Sequence, residues 1–406
     1  MLTVHTAPVV LTMTGPPLLD AAVVVDGDRI VAVGHDVAPP GVRVRAHHGI
    51  LLPGLVNAHT HLEYGPRFAD LALSGLAFPA WIAELTVRRR PMVAADWLLE
   101  ARGSVHAQLS TGTTCVADVV TSGPGVRAAA LAGLAGTSYV EAVRADDDGW
   151  PAERARVEAL LDAGGRPVGV SPHTLYTLSS EAFRAACALA RSRGLRLHPH
   201  LAETAEEAEL VLAGTGAFAL ALQGIGLAHD LLGVGAGRTP TEHADALGGL
   251  GPDVHVAHGV HLSAGDRELL RLRGTAVALC TRSNAVLQAG QAPVAALLAE
   301  GSLIALGTDS LASSPDLDLL AEARACRDLA LRQGASPDGL AEHLIRAAPI
   351  DGAAAIGVDA GRLVVGARAD LAVFDVPTAD PYASLVEHGA GRCIATVVAG
   401  RLVHRR

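Results

Sequence analysis

The sequence predicts an α/β protein built on a (β/α)8 TIM barrel, with a small β-sandwich domain formed by both termini. The chain has 406 residues, enough for one large domain or two ordinary ones. Between residues 51 and 356, short apolar runs alternate with stretches rich in Ala, Leu, Arg and Glu, the pattern of βα units in a parallel sheet. The two ends carry β-branched runs punctuated by glycine instead.

The two ends of the chain predict the small domain. Ala22–Val25 and Ile30–Val33 flank Asp26-Gly27-Asp28, which is a hairpin signal. Near the C-terminus, strands are expected over 363–365, 371–375 and 394–398. We therefore assign residues 1–50 and 357–406 to the small β domain and residues 51–356 to the catalytic barrel.

The barrel prediction depends on eight strand-length runs in the middle of the chain, since a barrel of this type usually takes about 250 residues plus insertions. The helix expected over Ser180–Arg191, followed by Gly194, illustrates how one run leads to the next. A doubly wound open sheet is the alternative, but no glycine-rich dinucleotide loop follows an early strand. The eight runs are Leu51–Val56, Thr113–Val120, Thr137–Val143, Val168–Val170, Leu195–Leu197, Val254–Ala257, Thr275–Leu279 and Leu303–Leu306.

Composition excludes several functions. A net charge of -10 and 3% aromatic residues give neither the basic surface nor the stacking platform of a nucleic-acid-binding protein. No apolar run approaches the ~18 residues of a membrane helix, and no signal peptide is recognisable, so a cytoplasmic protein without membrane contact is expected. All 32 basic residues are arginine, which excludes Schiff-base, pyridoxal-phosphate and Walker-type chemistry.

Histidines and a carboxylate follow four of the predicted strands, where the chemistry of a barrel is found. His59 and His61 end the first run, His200 follows the fifth, His258 the sixth and Asp309 the eighth. Because residues i and i+2 of an extended chain point to the same side, His59 and His61 can face one ion. Imidazole and carboxylate ligands suit Zn²⁺ or Fe²⁺, with one position left open for water. The sequence therefore predicts a metal site.

The motifs around these residues resemble those of the amidohydrolase superfamily, specifically its mononuclear aminohydrolases, over nearly the whole chain. They are Leu52–Glu63, His200–Thr204, Ala257–Val260, Thr281–Asn284 and Gly307–Ser310. The metal ligands that the resemblance implies are His59, His61, His200 and Asp309. The implied catalytic groups are Glu203, His258 and Asp309. A small β domain built from both termini and a homodimer are implied as well.

The resemblance also bears on the number of metal ions. In two-metal members of the superfamily a carboxylated lysine ends the fourth strand, whereas here that strand is followed by Ser171-Pro172-His173. One divalent ion is therefore expected, Zn²⁺ or alternatively Fe²⁺.

Hydrolytic deamination needs a group that takes a proton from water and passes it to the ring nitrogen, and Glu203 is the candidate. It lies three residues after His200, and such assistance is typically worth ~10² to 10⁴-fold. His258 can orient the attacking oxygen, Asp309 can accept a proton, and Asn57 can support the first ligand pair. The alternative for Glu203 is an ordinary first-turn carboxylate on a solvated helix with Glu206, Glu207 and Glu209.

Several residues are candidates for substrate contacts. Ser171–Tyr176 resembles the loop with which adenosine-type deaminases contact the nucleoside, and His173 would then donate to the substrate. Glu63, Phe78 and Trp81 resemble residues of the aminodeoxyfutalosine deaminases of menaquinone biosynthesis. Phe78 and Trp81, one helical turn apart, form either a lid over a purine ring or ordinary core packing. Further candidates without an assigned role are Glu141, Arg144, Arg282 and Asn284.

These residues favour a metal-dependent hydrolase that releases ammonia from an aminated purine nucleoside, with 6-amino-6-deoxyfutalosine as the first candidate. Deaminases of S-adenosylhomocysteine, methylthioadenosine or guanine would share the metal-site residues, as would a triazine-type chlorohydrolase. A non-catalytic metal-binding relative is the remaining alternative, and the intact ligand set speaks against it.

Overall fold

The computed structural model describes residues 2–144 and 146–406. Their strands are β1 (Leu2–Val10), β2 (Leu18–Asp26), β3 (Arg29–Gly34), β4 (Arg43–Ala46), β5 (Ile50–Pro53), β6 (Leu55–Thr60), β7 (Thr113–Val120), β8 (Ala135–Ala142), β9 (Val168–Pro172), β10 (His200–Leu201), β11 (His255–His258), β12 (Ala276–Leu279), β13 (Ile304–Leu306), β14 (Leu371–Phe374), β15 (Cys393–Val398) and β16 (Arg401–Arg405).

Helices fill most of the connections between the central strands. They are α1 (Phe78–Arg89), α2 (Ala94–Ser110), α3 (Gly123–Ala132), α4 (Trp150–Asp162), α5 (Ser180–Ser192), α6 (Ala205–Ala213), α7 (Gly216–Ile225), α8 (Pro240–Ala246), α9 (Ala264–Arg273), α10 (Thr281–Val286), α11 (Val294–Ala299), α12 (Leu319–Arg332), α13 (Leu340–Ala347), α14 (Ile350–Ile356) and α15 (Pro381–His388). Short 3-10 turns lie at Pro66–Phe68 and Leu71–Leu73.

Strands from both ends of the chain form one mixed sheet in the order β16-β15-β14-β5-β1-β2-β3, with β4 paired to β1. The predicted hairpin is present as β2 and β3. The strand expected over 363–365 is wrong, because this segment forms no strand and Leu363 only donates its N–H to Thr12. The last strand, β16, was not predicted. Gly400 precedes it with a φ of 73°, and a side chain there would overlap the carbonyl oxygen of Gly27. The domain boundaries themselves stay a prediction.

The first predicted barrel run is divided between two sheets. β5 pairs with β1 and β14 in the terminal sheet, whereas β6 pairs with β7 in a parallel one. Gly54 lies at the break, and a Cβ atom there would overlap the side chain of Thr114. Both halves are buried, and the dipeptide Pro53-Gly54 between them is the sign in the sequence that the strand is interrupted.

The central strands form two parallel ladders, β6-β7-β8-β9 and β10-β11-β12-β13. Leu197 bridges Val170 at the end of the first ladder and Val254 in the second. At the other junction, the N–H of Asp309 donates to the oxygen of His59 over 3.0 Å. The α/β class and the parallel strands are confirmed, and closure of both ladders into one barrel stays a prediction.

The core lies on the parallel strands. All eight residues of β7 are buried, as expected for a sheet covered on both faces, and aliphatic residues from α5, α12 and α13 pack in the same cluster. The fifth strand is displaced from the predicted Leu195–Leu197 to His200–Leu201. Within the described residues no single helix has the length and apolar character of a membrane span; the bent pair α6 and α7, at 77°, meets that test only when taken together.

The break at Gly54 generates a stability prediction. Gly54→Ala should lower the free energy of unfolding by about 1 to 3 kcal/mol, because the new methyl group overlaps Thr114 between the two sheets. Gly15→Ala is the matched control, since an added Cβ there meets no atom within 4 Å, and its effect should stay within about 0.5 kcal/mol. Denaturant unfolding of the three proteins measures the difference, and equal stability of both variants would contradict the interpretation of Gly54.

Candidate active site

Side chains from both ladders meet where the parallel strands end. His59 lies in β6 and His61 directly follows it, His200 lies in β10, and Asp309 lies in the loop after β13. Oδ1 of Asp309 lies 3.7 Å from the Nε2 atoms of His59 and of His61. The Nε2 atoms of His61 and His200 lie 3.2 Å apart. The four predicted metal ligands are therefore brought together, and all are buried.

Backbone carbonyl groups determine which ring nitrogen carries the proton in His198 and His200, and through His198 also in His59. A carbonyl oxygen accepts only, so Nδ1 of His198 donates to His255 over 2.8 Å, and Nε2 of His198 then accepts from Nδ1 of His59 over 2.8 Å. In the same way, Nδ1 of His200 donates to the oxygen of His173. The Nε2 atoms of His59 and His200 consequently present lone pairs to the cluster.

This donor set fits a divalent metal ion. Nε2 of His59 is buried without a hydrogen-bond partner, and burial, followed by the neighbouring imidazoles, holds the pKa of His59 well below its usual value, so the ring stays neutral. Two triplets place all their ligand atoms within 4.8 Å of one another: His59 with His61 and Asp309, and His59 with His200 and His258. Neutral imidazole and carboxylate are the ligands of Zn²⁺ sites.

Two serine hydroxyl groups orient the carboxylate of Asp309. Ser283 from α10 and Ser313 each donate to Oδ2 over 2.7 Å, which leaves Oδ1 facing the histidines. Asn57 ties the same region together, since its amide donates to Thr308 over 2.7 Å and its oxygen accepts from the N–H of His59. The expectation that Asn57 supports the first ligand pair agrees with these contacts.

Three of the site loops contain a non-glycine residue in the left-handed region. Ala202, His258 and Asp309 have φ values of 52°, 73° and 58°. Such conformations cost about 1 to 3 kcal/mol each and persist where surrounding contacts over-determine them. Each lies at the strand end that carries a predicted site residue, so the loops are held in position by the packing around them.

Glu203 and His258 face each other beside the ligand set. Oε1 of Glu203 lies 3.5 Å from Nε2 of His258, and Nδ1 of His258 bonds to Oδ1 of Asn284 over 3.0 Å. Burial, followed by the charges of Asp309 and Glu207, raises the pKa of Glu203 well above its usual value, while burial lowers the pKa of His258. Burial therefore favours the protonated form of Glu203 and the neutral form of His258, which stand side by side.

The segment after Glu203 differs from the solvated helix expected there, because Glu207 is fully buried. Its carboxylate accepts from the N–H of Ala202 over 3.1 Å and from the N–H of Glu203 over 2.8 Å. Burial raises the pKa of Glu207 to about 7. Glu207 thus holds the backbone around Glu203. The spacing of four residues between the two glutamates is the signal in the sequence that points to this role.

His173 and Glu141 form a second polar pair next to the ligands. Nε2 of His173 lies 3.6 Å from Oε1 of Glu141, and the rings of His173 and His200 are 4.9 Å apart. Asn284 has an amide nitrogen that is buried without a hydrogen-bond partner. These three predicted substrate contacts are therefore placed at the site.

Phe78 and Trp81 lie in a buried apolar cluster with Tyr64, Tyr176 and Phe218. Trp81 donates from Nε1 to the oxygen of Ala312 over 2.9 Å. The cluster reaches the site at two points, since Tyr64 stacks on His61 at 5.5 Å and Tyr176 lies 6.1 Å from His173. Core packing is therefore the observed arrangement, in a cluster that borders the site.

Glu63 and Arg282, two predicted substrate contacts, have partners within the protein for their charged groups, and their contact with substrate stays a prediction. The carboxylate of Glu63 accepts hydrogen bonds from the backbone and hydroxyl groups of Thr121 and Ser122, and so anchors the loop after β7. Arg282 forms a two-point ion pair with Asp316 at 2.7 and 2.9 Å.

Arg144, also predicted as a substrate contact, is exposed at the end of β8. Its guanidinium group donates to Thr86 of α1 over 3.0 Å.

Residues 50–403 match the model of the amidohydrolase family, and the chain belongs to that family. Within it, the protein is a hydrolytic enzyme of the kind that acts on C–N bonds. The chain is 34% identical over 391 residues to a 5-methylthioadenosine/S-adenosylhomocysteine deaminase of Halobacterium salinarum, covering 91% of this chain and 84% of the relative.

Two further proteins are similar. An aminodeoxyfutalosine deaminase of Deinococcus radiodurans is 31% identical over 89% of this chain and 85% of its own length. A solved structure of an adenosine deaminase from Xanthomonas campestris with bound zinc has a TM-score of 0.80 and 24% identity, covering 99% of this chain and 93% of the other. The latter likeness concerns the fold alone.

The contact between His198 and His59 generates a prediction about metal affinity. His198→Phe keeps a ring in place but removes the acceptor that orients His59, so the affinity for Zn²⁺ should fall about 10- to 100-fold. Competition with a chelator measures it. His343→Ala, at an exposed position of α13, is the control, and an unchanged affinity in His198→Phe would show that the contact does not orient the ligand.

The contacts of Glu207 generate a prediction about the loop. Glu207→Ala removes the acceptor of two buried N–H groups, so amide hydrogen exchange at Ala202 and Glu203 should become about tenfold faster or more. Glu206→Ala, on the same helical turn, should leave exchange at these amides unchanged. Equal exchange in both variants would mean that the loop is held by other contacts.

Proposed function

We propose that the protein is a metal-dependent aminohydrolase that releases ammonia from the adenine ring of a 5′-substituted adenosine. The single observation that carries the proposal is the pairing of the buried Glu203 with His258 next to the ligand set of His59, His61, His200 and Asp309. The family membership and the named deaminases among the relatives support it.

One divalent ion, Zn²⁺ or Fe²⁺, would be held by His59 and His61 with His200 and Asp309. When bound, such an ion supplies a Lewis acid that lowers the pKa of a water molecule to ~7. The zinc named in the adenosine deaminase structure supports Zn²⁺ as the first choice.

The chain's own residues then move protons. Glu203, deprotonated once a cation offsets its burial, takes a proton from water and gives it to the ring nitrogen next to the carbon under attack. His258 is held through Nδ1 by Asn284, and its Nε2 would orient the oxygen of the attacking water. Asp309, held through Oδ2 by two serine hydroxyl groups, accepts the proton that later reaches the departing ammonia.

His173 with Glu141, and the free amide nitrogen of Asn284, would bind the purine and sugar groups. The relatives support two substrate types: 5′-methylthioadenosine or S-adenosylhomocysteine, and 6-amino-6-deoxyfutalosine, the intermediate of menaquinone biosynthesis. Both are adenine nucleosides that differ at the 5′ position, so the adenine-directed residues would serve either. A closed (β/α)8 barrel, a homodimer and a cytoplasmic location complete the proposal.

Glu203→Gln tests the proton transfer. The variant keeps the size and burial of the side chain but cannot accept a proton, so turnover should fall ~10² to 10⁴-fold while the bound zinc stays at one equivalent. Glu206→Gln, on the first turn of α6, is the control and should keep full turnover. Ammonia release and elemental analysis are measured together, and full activity in Glu203→Gln with zinc bound would refute the role of Glu203.

A substrate comparison tests the activity itself. The zinc-loaded protein is assayed for ammonia release with 5′-methylthioadenosine, S-adenosylhomocysteine, 6-amino-6-deoxyfutalosine, adenosine, guanine and a chlorotriazine. The highest kcat/KM is expected for one of the 5′-substituted adenosines. A preference for guanine or for chloride release from the triazine would overturn the proposed substrate class, and no turnover of any compound would favour a non-catalytic relative.

A further inference from the structure

A cleft lies in the terminal sheet, away from the candidate active site. β4 and the residues after it form one side of the cleft, and β15 and β16 form the other. Its volume is 340 Å³. Six of the residues that line it are basic, and we call it the basic cleft. They are Arg43, Arg45, His47, His48, Arg405 and Arg406. A volume of this size is in the range of small-molecule sites.

The positive charges of the basic cleft are not neutralised by the protein. In residues 2–144 and 146–406, no Asp or Glu side chain forms an ion pair with Arg43, Arg45 or Arg405. Several arginines elsewhere on the surface do have such partners, for example Arg191 with Asp253 and Arg273 with Asp245. The chain carries a net charge of -10, so Asp and Glu side chains are abundant, and yet none of the described ones pairs with these three arginines.

The register of the sheet places Arg43 and Arg45 on the same face of β4. Arg43 is paired with Thr3 and Arg45 with His5 in the parallel ladder of β4 and β1, and neighbouring residues of a ladder share a face. His5 is 1% exposed, and its Nδ1 lies 3.0 Å from Nε2 of His47. The side chain of Arg43 is exposed and that of Arg45 is half-buried, so both guanidinium groups remain accessible to a ligand in the cleft.

Like charges lie close together within this cluster. Partial burial, followed by the charges of Arg43 and Arg405, lowers the pKa of Arg45. Burial and the charges of Arg45 and Arg405 likewise lower the pKa of His47. Like charges held together in this way would be relieved by a bound anion.

The wall contributed by the C-terminal strands also has an apolar part, formed by Ile394, Ala395 and Leu402. These residues pack on the core of the terminal sheet. A ligand that fills the cleft would therefore combine an anionic group with an apolar one. Guanidinium groups bind phosphate oxygens through paired hydrogen bonds, and a phosphate dianion matches several arginines better than a single carboxylate does.

We propose that the basic cleft is a binding site for a phosphorylated small molecule, whose phosphate oxygens accept hydrogen bonds from Arg43, Arg45 and Arg405 and whose organic part lies on Leu402 and Ile394. This site is separate from the proposed deaminase centre, because it is built from the terminal sheet. The competing explanation is that the arginines only protect the free edges of β4 and β16 from pairing with other chains.

The experiment is calorimetric titration of the full-length, zinc-loaded protein with phenyl phosphate and with inorganic phosphate, at constant ionic strength set with chloride. We expect one equivalent of phenyl phosphate per chain and weaker binding of inorganic phosphate. The double variant Arg43→Gln/Arg45→Gln should weaken binding at least tenfold, and Arg405→Gln gives an independent test should the double variant fold poorly. Arg127→Gln, at an exposed position of α3, is the matched control and should change binding less than threefold.

Three outcomes would overturn the proposal. Absence of saturable binding to the wild-type protein would leave no site. Binding that survives all cleft substitutions would place the phosphate elsewhere, for example at the metal centre. Aggregation or a changed oligomeric state of the cleft variants, without saturable phosphate binding to the wild-type protein, would favour edge protection or contact with a second copy of the chain.

Discussion

The arrangement of the active site depends on keeping several buried imidazoles neutral with their lone pairs directed at one point. Burial disfavours the imidazolium form, and the backbone oxygens of His173 and His255 accept the Nδ1 protons of His200 and His198. Because Nε2 of His198 then carries no proton, it accepts a hydrogen bond from Nδ1 of His59 and fixes the tautomer of that ring as well. Without these carbonyl acceptors each ring could adopt the other tautomer, and the lone pairs would no longer be directed at one point.

The two carboxyl groups of the site are positioned by neighbouring residues in different ways. Asp309 is held by Ser283 and Ser313, and the backbone around Glu203 is held by Glu207. These hydrogen bonds stabilise the left-handed backbone conformations of Ala202 and Asp309, which are unfavourable without such contacts. The strand ends thus supply position, while the following loops and helices supply orientation.

Much of this was predictable from the sequence, for a physical reason. Strand period places His59 and His61 on one side, and parallel strands end at one edge, so the ligand set follows from local pattern. The partners of Glu63, Arg282 and Glu207, such as Ser122, Asp316 and the N–H of Ala202, could not be predicted, because they are determined by packing rather than by spacing. Pro53-Gly54 signals the break between β5 and β6, but both halves are buried, so the sequence does not show that they belong to different sheets.

The pairing of β5 with β14 connects residues near opposite ends of the chain, since Ile50 lies opposite Phe374. During synthesis from the N-terminus, β5 therefore emerges long before its neighbour exists, and its edge stays open until the final strands leave the ribosome. Completion of this sheet is necessarily a late event in biogenesis. A nascent or truncated chain that lacks the last strands would expose an adhesive edge, which makes the C-terminal segment a determinant of aggregation as well as of the finished fold.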